Sequence, residues 1–182
     1  MSNKINVLVV VKDHLNTLRN YHNGKTSLID VSFLLLLPLA FVVWLALCGY
    51  SINKEFVSLV VNFSSIVTSL LISVLVLIYD QYSKTDDQAL KKEVLGQLFS
   101  NVSYTILMGV ITVIFCLLLN IYPYDMNGNY QISTITYFIQ NYEISINLVE
   151  ILFTPAILFF LLQMILTLFM TLKRLHIIFF AK

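Results

Sequence analysis

The side chains of this chain that could do chemistry are kept apart from one another. His14, His22 and His176 are separated and lack the spacing of a metal-ligand set. Cys48 and Cys116 both lie inside apolar runs, which disfavours a disulfide or a metal site. The serines and threonines of the apolar stretches have no histidine or lysine at the same depth to serve as a base. A glycine-rich phosphate loop is also missing from the sequence. The expectation is a protein that is not an enzyme and needs no cofactor or metal.

Polar residues do recur at helical spacing. Ser58, Asn62, Ser65, Ser69 and Ser73 follow one another at four, three, four and four residues, and therefore share a helix face. A second stripe is made by Asn101, Thr105, Gly109 and Thr112, continued by Cys116 and Asn120. Small residues let helix backbones approach, and hydroxyls and amides bond across the seam. The simplest expectation is that the two stripes pack on each other. The other reading is a wetted pore lining formed when several copies assemble.

The elements that position these stripes are apolar and long. The chain has 182 residues, of which 58% are hydrophobic and 12% charged, against about 25% charged in an ordinary soluble domain. Four stretches approach the roughly 20 apolar residues that a membrane span needs: 30–50, 56–79, 99–120 and 147–172. Ten of the eleven lysines and arginines fall in the N-terminal segment, the central loop 80–97 and the C-terminal tail, and only Lys54 falls elsewhere. Basic loops stay on the cytoplasmic side. The predicted fold is therefore all-α: a four-span membrane protein with both termini in the cytoplasm of a bacterium, in the inner membrane. A formal net charge of +1 argues against direct nucleic-acid binding.

Residues 1–29 are read as a cytoplasmic leader without a cleavable signal, so the first span acts as the insertion signal. Leu8, Val11, Leu15 and Leu18 form the apolar stripe of an amphipathic helix that lies on the inner leaflet or docks under the bundle. Asn23 and Gly24 break it. Ser27 with Asp30, and Thr85 with Gln88, have capping-box spacing. The five residues 51–55 force an antiparallel hairpin of spans one and two. From Ala89 a single long helix is expected to run from the cytoplasm into span three. Pro38 and Pro155 should kink spans one and four. Asp80 and Glu150 are read as carboxylates near the two interfaces.

The outer loop 121–146 contains no lysine or arginine but holds Tyr124, Tyr130, Tyr137 and Tyr142. These residues form either a membrane-interface belt or a recognition surface. The stretch from Thr134 to Glu143 is expected to be a short interfacial helix. On the other side, Lys84, Lys91, Lys92, Lys173 and Arg174 are the candidate contacts for a soluble cytoplasmic partner. The tail 173–182 ends in an apolar run.

In its leader HLNTLRNYHNGKTSLID, first span LLLLPLAF, third-span start KKEVLGQLFSNVSYTILMG and exit LKRLHIIFF, the chain resembles the small four-span bacterial membrane proteins encoded in antiphage defence systems. In size and span count it is similar to the membrane subunit of the Kiwa system. That resemblance implies a membrane-embedded sensor that forms a homo-oligomer and works with a separate cytoplasmic effector protein. It carries over no site residues.

Overall fold

Uninterrupted apolar sequence with few breakers gives long helices. The computed structural model describes residues 6–18, 28–85, 89–130, 135–139, 142–146 and 149–180. It contains α1 (Leu8–Asn16), α2 (Leu28–Leu47), α3 (Lys54–Lys84), α4 (Ala89–Leu119), strands β1 (Ile135–Ile139) and β2 (Tyr142–Ile146), a π-helical turn (Val149–Phe153) and α5 (Thr154–Phe180). The expected breaks at Asn23 and Gly24, and the capping partners Ser27 and Gln88, lie outside the described residues.

Helices α3, α4 and α5 are long and apolar enough to cross a membrane, whereas the apolar part of α2, Val31–Leu47, is shorter. The protein is a multi-pass membrane protein. The expected uninterrupted third helix is present, 31 residues from Ala89 to Leu119, which at 1.5 Å per residue exceeds a hydrocarbon core of about 30 Å.

The link between α2 and α3 is built by local chemistry. Gly49 takes φ +70° and closes a Schellman motif, with Gly49 N–H on Ala46 O at 3.1 Å and Tyr50 N–H on Leu45 O at 3.1 Å. The Asn53 side chain then accepts from Phe56 N–H at 2.9 Å and caps α3. The expected hairpin of spans one and two does not follow. Instead α4 and α5 form the central pair, α3 packs along α4, and α2 packs along α5. A tight link reverses the chain but leaves the choice of neighbour to the side chains.

The two polar stripes do not meet. Asn101, Thr105, Gly109, Thr112 and Cys116 of α4 are buried, as expected for a packed seam, whereas Ser58, Asn62, Ser65, Ser69 and Ser73 of α3 are all exposed. The face of α3 turned to α4 is one position away and carries Val60, Ser64, Leu71 and Ile78. The outward serines satisfy themselves on their own helix: Ser69 Oγ donates to Ser65 O at 3.1 Å and Ser73 Oγ to Ser69 O at 3.5 Å. Thr105 and Thr112 do the same inside the seam, donating to Asn101 O and Met108 O at 2.8 Å.

Three clusters hold the bundle. At the end that carries the α2–α3 link, Ile52, Val57, Val60, Cys116, Leu119, Tyr130, Val149 and Ile157 join α3, α4 and the start of α5. Leu71, Ile78, Leu95, Leu98 and Val102 join α3 to α4 at the opposite end. Between them lie Tyr104, Met108 and Met164, and here Val10 and Val11 of α1 are packed.

Two expectations about breakers need correction. Pro155 does not kink the middle of a span. It lies in the first turn of α5, where its missing N–H is harmless, directly after the π-helical turn. Of the stretch 134–143 expected to be helical, the described residues 135–139 and 142–143 are strand. β1 and β2 pair antiparallel with Ile135 opposite Ile146, Tyr137 opposite Ile144 and Ile139 opposite Tyr142. Alternating β-branched and aromatic residues favour a strand pair over a helix. Thr134 lies outside the described residues.

Gly109 sets the approach of α3 and α4. A Cβ there would collide with Thr68 Oγ1 and stand 3.0 Å from Met164 Sδ. Gly109→Leu is expected to cost on the order of 1–3 kcal/mol by overpacking, read as a lower unfolding temperature in detergent. Ser69→Leu, on the exposed face of α3, should leave that temperature unchanged.

Candidate functional site

The short helix α1 is not a surface float. Its buried side chains are His14, in the helix, and Leu18, just beyond it, whereas Leu8 of the expected stripe is 75% exposed. The helix is thus rotated from the face that its leucines suggest, and its Val9-Val10-Val11 run is helical throughout. What fixes this orientation is polar. His14 is stacked on Tyr104 of α4, with ring centroids 4.0 Å apart and planes 8° apart.

Asn101 of α4 is the centre of the seat. With its amide nitrogen toward α1 it donates to His14 Nδ1 and to Thr17 Oγ1, both at 2.9 Å. Its oxygen then accepts from Arg174 of α5 at 2.6 Å (Nη1) and 3.3 Å (Nε). The Thr17 hydroxyl donates to His14 O at 2.7 Å. The Arg174 guanidinium also donates to Thr17 O at 2.8 Å and to Gln97 O at 3.2 Å. One cation therefore ties together the end of α1, the first turns of α4 and the end of α5, and these three segments lie at the same end of the bundle.

A second set of contacts continues this seat across the bundle. The Tyr104 hydroxyl donates to Gln163 Oε1 at 3.4 Å, and Gln163 Nε2 donates to Leu34 O of α2 at 2.8 Å. Leu34 is four residues before Pro38, which lies inside α2 and has no N–H to give its carbonyl. The buried Gln163 supplies the missing donor. A chain of contacts thus runs from the proline of α2, through α5 and α4, to the histidine of α1.

The electrostatics of the seat demand a neutral histidine. Burial holds the His14 ring well below the ordinary range, at about 4, and the Arg174 guanidinium pushes the same way. Since Nδ1 accepts from Asn101, the ring proton sits on Nε2, which is buried without a partner among the described residues. The seat therefore carries one unpaid polar group and one pairing that acid would break.

Of the expected partner-binding cations, Arg174 is withdrawn into this seat and is corrected to a structural clamp. Lys84 is paired with Asp80 at 2.7 Å on the same helix, Lys92 lies 5.4 Å from the centre of the Tyr82 ring, and Lys91 and Lys173 are exposed. In the loop 121–146 Tyr130 is a core residue and not a recognition residue: it is buried, and its hydroxyl donates to Asn120 Oδ1 at 2.9 Å. Tyr124 bridges to it and lies beneath the Lys54 ammonium at 3.7 Å. Tyr137 and Tyr142 are placed on the paired strands. Glu150 falls in the π-helical turn. No group of residues able to hold a metal ion occurs among the described residues.

Sequence reading missed Gln163 and the role of His14. The signal for Gln163 was a lone amide deep in an apolar helix together with a proline in another, since one needs an acceptor and the other leaves one. His14 had no such signal, because its partners Asn101 and Tyr104 are 87 and 90 positions away in the chain. No protein-family model matches the chain, and no curated protein or solved structure matches it.

Asn101→Leu leaves Arg174 and Thr17 without their shared partner and should destabilise the seat by about 1.5–3 kcal/mol, read as faster proteolysis within residues 6–18. Acid should act similarly. With the folded value depressed, the unfolded chain binds more protons, so seat stability is complete above the unfolded value of 6.5 and declines toward about 4. The fall totals roughly 3 kcal/mol. Hydrogen exchange over residues 8–16 between pH 7 and 4 measures it, and His14→Phe should abolish the dependence.

Proposed function

We propose that this chain is a membrane-embedded, non-enzymatic sensor or anchor subunit that passes the packing state of its helices to a soluble partner at the α1 end. One observation carries the reading: the contact chain from Leu34 and Pro38, through Gln163 and Tyr104, to His14. A shift of α2 against α5 strains the Gln163 bond, and Gln163 is what the Tyr104 hydroxyl meets. The stacking surface under α1 then moves with it.

The end that carries α1 and Arg174 is assigned to the cytoplasm from the bias of lysine and arginine across the loops. This places both termini inside and the hairpin outside, in the inner membrane of a bacterium. The partner surface is then the exposed part of α1 with Lys91, Lys92 and Lys173. The setting proposed is antiphage defence, with a soluble effector as partner, on the resemblance in size and span plan to the membrane subunit of the Kiwa system. Self-association through the outward Ser58, Asn62, Ser65, Ser69 and Ser73 face completes the reading, since cross-helix hydrogen bonds in membranes add about 0.6–2 kcal/mol each.

The same outward face favours a second reading, an oligomeric pore that depolarises the cell. Hydroxyls that point away from the monomer core are in place to line a channel between copies.

The test is a mild-detergent purification of the tagged chain from its host. A soluble protein co-eluting at fixed ratio, and lost when Lys91, Lys92 and Lys173 are changed to Glu with topology verified, is the expected result. A homo-oligomer without a soluble partner, with ion flux in liposomes that Ser65→Leu and Ser69→Leu eliminate, would replace this reading by the pore.

A further inference from the structure

The seat of α1 also sets how deep this helix lies. At its C-cap, Thr17 O accepts from Arg174, which donates in addition to Gln97 O of α4. Two turns farther along α4, His14 stacks on Tyr104. Val10 and Val11 then pack against the cluster of Tyr104, Met108 and Met164. The chain from Thr17 back to Val10 thus follows α4 from Gln97 forward toward Met108. The two helices run antiparallel, and the N-terminal end of α1 points into the bundle.

Three spanning helices mark the bilayer boundary at this end, and they agree. The apolar stretch of α5 stops at Leu172, before Lys173 and Arg174. That of α3 stops at Ile78, before Tyr79 and Asp80, and Ile78 shares a cluster with Leu95 of α4. At 1.5 Å per residue, Tyr104 stands about 14 Å along α4 from Leu95, and Met164 about 14 Å along α5 from Lys173. Half of a hydrocarbon core is about 15 Å. The cluster that receives Val10 and Val11 is therefore near the mid-plane, and the first turn of α1 lies at least as deep.

The first turn is made for that setting. Val7, Leu8 and Val9 are 43%, 75% and 49% exposed, a surface that water disfavours and acyl chains accept. The N-cap is Val7, which offers no side-chain hydrogen bond and is among the poorest caps in water. The early N–H groups turn to the backbone instead: Val9 N–H donates to Asn6 O at 3.2 Å and Val10 N–H to Val7 O at 3.1 Å. Backbone in hydrocarbon has to be satisfied internally in this way. The exposed charges of α1, Lys12 and Asp13, are only about 6–8 Å along the helix from Thr17, and a lysine stem of that reach snorkels to the headgroups. Ahead of Val7 the sequence is polar again, with Asn3, Lys4 and Asn6, so the apolar surface is that of a half-span.

We propose that α1 is a re-entrant helix: it dips into the bilayer from the end that carries Arg174 and presents Val7, Leu8 and Val9 to acyl chains near the mid-plane. The inference rests on the membrane character of α3, α4 and α5 and is independent of the sensor reading. It leaves the turn of Lys12 and Asp13 as the part of α1 that a soluble partner can meet.

Trp44, exposed on α2, is the only tryptophan of the chain, so Trp44→Phe makes room for a single fluorescent reporter. The full chain carrying Leu8→Trp is reconstituted in phosphatidylcholine vesicles whose acyl chains bear bromine either near the headgroup or near the chain end. The expected result is a larger loss of emission with bromine near the chain end, and no loss with iodide in the water. Asp13→Trp in the same background should show the opposite preference between the two bromolipids. Val9→Trp, also exposed, repeats the measurement where Leu8→Trp lowers the helix content. Quenching of Leu8→Trp by iodide would overturn the proposal and place the first turn in water. Stronger quenching by bromine near the headgroup would overturn it as well, with α1 lying along the surface. So would shielding from iodide and from both bromolipids, which would mean that protein, a second copy included, covers this turn.

Discussion

In hydrocarbon a backbone carbonyl without a donor costs several kcal/mol, and one such carbonyl organises much of this protein. Pro38 removes the N–H that Leu34 O would use, and Gln163 replaces it at 2.8 Å. The replacement comes from another helix, so a local deficit in α2 becomes a tether between α2 and α5. A buried glutamine also has a carbonyl oxygen to satisfy, and Tyr104 answers it. Each polar group introduced to correct one deficit requires a further partner, and in this bundle the series ends at His14 and Arg174.

Arg174 shows the same constraint from the charged side. A guanidinium at the end of a span is tolerated when it reaches water or when enough acceptors surround it. Here it is surrounded, by Thr17 O, Gln97 O and the Asn101 oxygen. Its five donors need several acceptors fixed in space, and α1 supplies one that no spanning helix could. The leader helix is therefore part of the solvation of Arg174, which accounts for its docking in place of floating on the lipid surface.

The long helices were legible in the sequence because length and apolar content are local properties. Span three and its continuation from Ala89 follow from periodicity alone, and so does the burial of Asn101, Thr105 and Thr112. The partner of each helix was not legible. Ser58 through Ser73 form a regular stripe, but regularity fixes only that they share a face, and back-bonded serines satisfy themselves against lipid as well as against a neighbour. Gly109 was the better indicator of the seam, since its missing side chain makes room for Thr68. Arg174 looked like a surface cation because its acceptors are backbone carbonyls, which no composition records. The paired strands Ile135–Ile139 and Tyr142–Ile146 were legible only as alternation in ITYFI and YEISI, a pattern that at a membrane interface competes with an amphipathic helix.

The nine residues of α1 are too few to stay helical alone, since isolated helices shorter than about 12–15 residues are marginal in water. Its helical state therefore depends on the seat, and undocking and unwinding are one event. An element of this kind suits the proposed sensor role, in which a small strain at Gln163 would be converted into a large change at the surface. The Nε2 of His14, without a partner among the described residues, limits the depth of the docked state. A seat built only from Val10, Val11 and Leu18 would bind α1 by burial alone and would respond weakly to the angle of Tyr104. The polar seat responds to that angle, because stacking at 4.0 Å and the Asn101 hydrogen bonds both have narrow geometry.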